Sequence, residues 1–220
     1  MLICFLVLSI WLPACSAKRQ TSAEDSFREA SLKTNALVQR YGQIVGSEQT
    51  DYLASLERRL RTALPENYKR EKPFKVILID TGKPLAYSPG AGFIIISRGM
   101  VRALGNEAQL VFVLAHEMAH YYLKHNFIAS ERDELFSPEQ ELAADKLAVG
   151  IMALAGWDPM QALTAIRNIY KEARPFLLEH GTHPDPSART AAIRQEMHES
   201  GWRSASLTDR RDFRKFKMSL

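Results

Sequence analysis

The sequence predicts an α+β fold that is mainly helical, with a small β-sheet beside a central helix. Apolar residues recur at helical spacing along most of the chain, two short segments are rich in β-branched residues, and capping motifs open several helices. A length of 220 residues fits one domain with an extra helical segment. The formal net charge of +4 is compatible with contact to anionic lipid, and we expect no nucleic-acid partner.

The N-terminus predicts a secreted, lipid-anchored protein. Residues 2–12 form an apolar run that is too short to span a bilayer, which takes about 20 helical residues, but has the length of a signal-peptide core. The following Leu12-Pro13-Ala14-Cys15 resembles a bacterial lipobox, in which the cysteine is acylated. We therefore expect a signal peptide over residues 1–14 and a lipidated tether over residues 15–26. The protein would lie on the periplasmic side of the envelope, with Ser16 favouring the outer membrane. The alternative is a buried N-terminal strand or helix.

Residues 27–65 predict an N-terminal helical segment made of two helices. Gly42 and Gly46 separate the helices, and Pro65 ends the second. The apolar positions are Phe27, Leu32, Leu37 and Val38 in the first helix and Tyr52, Leu53, Leu56 and Leu60 in the second.

Two strands are predicted next, over residues 75–80 and 93–96, because both are rich in β-branched residues. The residues between them contain two clusters of turn formers, Thr81-Gly82-Lys83-Pro84 and Ser88-Pro89-Gly90, which predict loops.

Capping motifs predict the later helices. Asn106 with Gln109 opens a helix to about residue 125, and Ser137-Pro138-Glu139-Gln140 opens another that Gly156 ends. Further helices are expected to begin after Asp158 and Asp185, each of which precedes a proline.

The helix over residues 107–125 carries a metal-binding pattern. His116 and His120 are four residues apart and project from one face, with Glu117 between them in the H-E-x-x-H arrangement. Two imidazoles can bind one zinc ion while the glutamate acts as general base on the attacking water. His125 lies about 140° round the helix from His120, so we expect it to stay outside the site, as a helix-end histidine.

A third ligand is expected from the next helix. Leu123 and Asn126 stand where a metzincin would have its glycine and third histidine, which excludes that class. Glu141 can be the third ligand, and Asp145 shares its helix face and can accept a hydrogen bond from a ligand histidine. The alternative for Glu141 is a solvated residue favoured by the helix dipole.

These motifs resemble the HtpX/CAAX-protease/Oma type of zinc metallopeptidase, family forty-eight of the metallopeptidases, within the gluzincins. The resemblance rests on AHEMAHYYLKH and ELAAD, extends upstream to AYSPGAGFIIISRGMVRAL, and includes Thr182-His183-Pro184 with Arg189. It implies a zincin fold, one zinc per chain and endopeptidase activity on protein or peptide substrates. We expect the metallopeptidase domain to cover residues 66–205, with a basic tail over residues 206–220 that is solvated or touches anionic lipid.

The resemblance also implies roles for individual residues. Zinc would be held by His116, His120 and Glu141, and His183 and Arg189 are candidate donors to the oxyanion. Residues 93–96 are expected to be the sheet edge on which a peptide adds as a strand. Secreted lipoprotein members of this family often act in envelope protein quality control.

Two other functions remain open from the sequence. The first is a non-catalytic chaperone or assembly factor of the outer membrane that retains the fold, although such a protein has no need of Glu117. The second is a cytosolic hydrolase whose apolar N-terminus is not processed.

Overall fold

The computed structural model has a small sheet among several helices, which confirms the predicted mainly helical α+β fold. The residues described are 22–68, 72–125, 136–180, 185–204, 207–209 and 211–220. The strands are β1 Lys75–Ile79, β2 Ala86–Gly90 and β3 Phe93–Ser97. The helices are α1 Ala23–Tyr41, α2 Ser47–Ala63, α3 Arg98–Ala103, α4 Glu107–Tyr122, α5 Pro138–Leu154, α6 Gln161–His180, α7 Pro186–Glu199 and α8 Arg211–Met218.

The predicted signal peptide and Cys15 lie outside the described residues. Helix α1 begins at Ala23, inside the predicted tether, because Ser22 and Asp25 form a capping box. Among the residues that the structure describes, no helix is both long enough and apolar enough to cross a bilayer.

The sheet has the strand order β1-β3-β2, with β1 parallel and β2 antiparallel to β3. Strand β2 covers a segment that was predicted to be a loop because of Ser88-Pro89-Gly90. This prediction was wrong, because β2 is a terminal strand and a proline at such a position costs no ladder hydrogen bond on its outer side. Successive positive φ angles at Gly90, Ala91 and Gly92 make the turn into β3.

The expectation that residues 93–96 form the peptide-docking edge was also wrong. Strand β3 is central: Ile95 pairs with Ile77 of β1 on one side and with Tyr87 of β2 on the other. The outer side of β1 is occupied as well, since Ile44 donates to the Leu78 carbonyl at 2.9 Å. A strand added to this sheet would therefore have to pair with β2.

The sheet lies between helices on both faces. Ile77, Ile79 and Ile95 face Ala30 of α1, whereas the alternate residues Ile94 and Ile96 join the main core with α4. Every residue of α4 from Glu107 to His120 is buried. Histidines on this helix are therefore held in the protein interior, where polar groups need partners.

The predicted basic tail is folded over most of its length. Residues 211–218 form α8, whose Phe213 and Phe216 are only 2% and 5% exposed. Phe216 contacts Tyr52 of α2 with the ring centroids 4.5 Å apart. The expectation of a solvated tail was wrong for this part, because two phenylalanines three residues apart give α8 an apolar face that packs on the core.

Candidate metal centre

Helix α4 brings two imidazole nitrogens together. The Nε2 atoms of His116 and His120 are 3.1 Å apart, and the two rings are nearly perpendicular. Both side chains are buried, with 7% and 1% of the residue surfaces exposed. The spacing of four residues in a regular helix produces this convergence.

Helix α5 contributes a carboxylate to the same point. Glu141 lies in the first turn of α5, and its Oε2 and Oε1 are each 3.5 Å from the Nε2 atoms of His116 and His120, respectively. The residue is only 2% exposed, which excludes the solvated alternative. Ala144 and Ala148, both fully buried, allow α5 to lie close against α4.

The two imidazoles and the carboxylate are spaced to hold a tetrahedral zinc ion. Ligand bonds of about 2.0–2.2 Å in a tetrahedron separate the ligand atoms by about 3.3–3.6 Å. The two Nε2 atoms are 3.1 Å apart, and each lies 3.5 Å from one of the two Glu141 oxygens, which is close to this edge length. Among the described residues, this is the group of histidine and acidic side chains that could hold a metal ion.

A buried ion pair between Asp145 and Arg189 contacts the Nδ1 side of the His116 imidazole. The Nδ1 atom of His116 lies 3.0 Å from Oδ1 of Asp145. Arg189 of α7 donates from Nε and Nη2 to the two Asp145 oxygens, at 2.7 and 2.6 Å. Tyr170 of α6 hydrogen-bonds to Arg189 in turn. These contacts link helices α5, α7 and α6 to the His116 imidazole of α4. They direct the Nε2 lone pair of His116 at Glu141 and His120.

The carboxylates determine which histidine holds a proton. Burial alone lowers the pKa of His116, but hydrogen bonds and the negative charges of Asp145 and Glu141 raise it to about 10. Burial lowers the pKa of His120 to about 2, and the charge of His116 acts in the same direction. Burial raises the pKa of Asp145, but Arg189 more than offsets this and holds it below its usual range. The cluster therefore attracts one positive charge at the point where the donor atoms converge.

His125 is not among the three residues that could hold the metal ion, as expected, but its position differs from the predicted one at the end of the helix. Helix α4 ends at Tyr122 instead of running to residue 125, and Lys124 has a φ of 59°. This left-handed residue turns the chain back, so that Nδ1 of His125 lies 2.9 Å from Nδ1 of His120. The angular argument failed because it extended the helix through the turn.

Three further residues were predicted to belong to the site: Glu117, Arg189 and His183. Glu117 lies between the two histidines in α4 and is 6% exposed. The guanidinium of Arg189 is directed at Asp145, which differs from the expected role of an oxyanion donor. His183 lies outside the described residues. Sequence reasoning missed Tyr170, because nothing in the local pattern of α6 marks it.

Comparison with known proteins agrees with this geometry. Residues 50–137 match the sequence profile of Peptidase family M48, whose members are zinc metallopeptidases. This match includes His116, Glu117 and His120 and ends before Glu141.

The chain is also similar to proteins named beta-barrel assembly-enhancing protease, from Escherichia coli strain K12 and from Shigella flexneri. It is 23% identical to each, and the alignment covers 68% of this chain. The chain spans 39% of the length of these relatives. Residues 50–137, which include His116 and His120 of the buried cluster, are therefore similar to Peptidase family M48.

Proposed function

We propose that this protein is a zinc-dependent endopeptidase that hydrolyses peptide bonds of envelope proteins. The observation that carries the proposal is the convergence of His116, His120 and Glu141 on one point at the spacing of tetrahedral zinc. Three protein ligands leave a fourth position for water or substrate, which distinguishes a catalytic zinc site from a structural one.

Zinc bound there would polarise the substrate carbonyl and lower the pKa of the attacking water. The side chains of the protein transfer the proton and hold the metal position. Glu117 takes the proton from that water and passes it to the leaving amine, as general base and then general acid. His116 and His120 keep their Nε2 lone pairs directed at the metal position.

We assign Arg189 to positioning instead of oxyanion stabilisation. Both nitrogens that face Asp145 are engaged, and the Arg189 side chain is only 8% exposed. Its contact holds Asp145, and Asp145 holds His116. The role of oxyanion donor is left to His183 in this proposal.

The peptide would add as a strand to β2. Strand β2 is terminal in the sheet, and main-chain hydrogen bonds along such an edge give affinity with little side-chain preference. This mode suits an enzyme that cleaves partly unfolded proteins.

For the cellular setting, we propose a lipoprotein of the HtpX/Oma type, anchored through Cys15 on the periplasmic side of the envelope. The support is the apolar run that ends at Cys15, together with the name of the relatives, which links them to β-barrel assembly. A role in envelope protein quality control follows from that setting.

The deciding experiment is the substitution Glu117→Gln, which keeps the size of the side chain and removes its basicity. Zinc content by elemental analysis should stay near one per chain, while casein cleavage should fall by about 10²–10⁴-fold, the usual contribution of general-base catalysis. His116→Ala should lose both zinc and cleavage. Glu172→Gln is the matched control, because Glu172 is an exposed residue of α6.

Complementation of a deletion strain separates an enzyme from a chaperone. If the zinc-loaded Glu117→Gln protein complements fully, the non-catalytic assembly factor replaces the protease as the function. Loss of complementation together with retained zinc supports the protease.

A further inference from the structure

His125 is buried against the ligand His120, although it lies beyond the end of the active-site helix. It is 7% exposed, and its Nδ1 approaches Nδ1 of His120 to 2.9 Å. Phe136, which immediately precedes the cap of α5, stacks on the His120 ring with the ring centroids 3.7 Å apart and an interplanar angle of 16°. Two contacts from outside α4 thus define both the plane and the in-plane rotation of the His120 ring.

A hydrogen bond between two Nδ1 atoms needs one proton and one lone pair. The Nε2 atom of His120 faces Glu141 and His116, so its lone pair is the one available to a metal ion. The proton of a neutral His120 then resides on Nδ1, and it is donated to His125. His125 must therefore present an unprotonated Nδ1 and carry its own proton on Nε2.

We propose that His125 is a positioning residue of the metal centre, whose Nδ1 accepts a hydrogen bond from the Nδ1–H of His120 and thereby fixes the tautomer and orientation of that ligand. The inference rests on the proposed metal site. It gives each ligand histidine its own partner: Asp145 for His116, and His125 for His120. Partners of this kind orient ligands and raise metal affinity.

Two near-isosteric substitutions test the geometry. Asn places its amide oxygen close to the position of a histidine Nδ1, whereas Gln extends to the position of Nε2. Zinc affinity of the full chain, measured by competition with a chromophoric chelator, should fall by about 10–100-fold in His125→Ala and His125→Gln. His125→Asn should restore most of the affinity, because its amide oxygen can accept a hydrogen bond from the Nδ1–H of His120. His198→Ala is the control, since His198 is an exposed histidine at the end of α7.

A spectroscopic measurement on the unmodified chain keeps the test independent of how the variants fold. Long-range ¹H–¹⁵N correlation of the zinc-loaded protein should show His120 protonated on Nδ1 and His125 protonated on Nε2. A proton on Nδ1 of His125, or zinc affinities of the Gln and Asn variants that are equal, would overturn the proposal. Failure of the proposed function looks different: the unmodified chain would then bind no zinc, or would bind it with this tautomer pair and cleave nothing.

Discussion

Arg189 and Asp145 form a two-pronged ion pair inside the protein, with Nε–Oδ2 and Nη2–Oδ1 distances of 2.7 and 2.6 Å. The two residues are 44 positions apart in the sequence and lie on α7 and α5. The side chain of Asp145 is fully buried and that of Arg189 is 8% exposed. Because His116 contacts the same carboxylate, the ion pair links the packing of two helices to the orientation of a metal ligand.

The first prediction concerns this pair. Arg189→Gln leaves the Asp145 charge buried without its main partner, and the free energy of unfolding should fall by about 3–5 kcal/mol. The double variant Asp145→Asn with Arg189→Gln should lose less, because no buried charge is left uncompensated. Urea unfolding of both single variants and the double variant gives the coupling energy. Additive losses would show that the two residues do not stabilise each other.

The second prediction concerns the loop that precedes β2. Ser97 at the end of β3 donates to the Lys83 carbonyl at 2.6 Å, and Gly99 donates its N–H to the Thr81 carbonyl at 2.9 Å. A Cβ on Gly99 would overlap the Gly82 carbonyl oxygen, so the backbone would have to move. Gly99→Ala should therefore lower the free energy of unfolding by about 1–3 kcal/mol.

A glycine in a different setting provides the control for that substitution. Gly150 lies inside α5, and a Cβ there meets no atom within 4 Å. Gly150→Ala should raise the free energy of unfolding by about 0.5–1 kcal/mol, because alanine is the better helix former. Urea unfolding should move the midpoints of the two variants in opposite directions. Equal stability of Gly99→Ala and the unmodified chain would contradict the close contact.

Much of the site was predictable because its information is local. The cap at Asn106 and the capping box at Ser137 specify two helices, and residue spacing within each helix aligns His116 with His120 and Glu141 with Asp145. Helical periodicity also predicted the mainly helical fold, including the buried stripe of α2.

The features that sequence reasoning missed depend on contacts between distant segments. Strand β2 exists because β3 pairs with it, in spite of Pro89 and Gly90. The contact of Arg189 with Asp145 requires α7 to pack on α5, which no local motif encodes. The approach of His125 to His120 depends on one left-handed residue that is not a glycine.

The third prediction is a pH dependence of the protein after zinc is removed with a chelator. The pKa of His116 is raised to about 10 from an ordinary value of 6.5. A raised pKa in the folded state contributes stability that is complete below pH 6.5 and is lost as the pH rises through 10. The free energy of unfolding should therefore decline across this window, by at most about 1.4 kcal/mol per pH unit for one proton.

Urea unfolding at several pH values measures this decline, and the His116→Gln variant corrects for other groups that titrate there. Zinc binding needs a neutral His116, so the apparent zinc affinity should rise over the same window. Identical pH profiles for the unmodified chain and His116→Gln would contradict the prediction.

The last prediction connects the end of α4 to the metal centre. Lys124 has a φ of 59°, a conformation that costs a residue with a side chain about 1–2 kcal/mol and is harder still for β-branched residues. Lys124→Val should lower the free energy of unfolding by about 1–3 kcal/mol and also weaken zinc binding, because the turn that brings His125 to His120 is disfavoured. Lys124→Gly removes the steric cost and should keep zinc affinity unchanged, with stability equal to that of the unmodified chain or higher by up to about 1 kcal/mol. Chelator competition and urea unfolding on both variants make the comparison. Since both substitutions remove the same lysine charge, a difference between them reports the backbone conformation, and equal zinc affinities would show that the turn does not position His125.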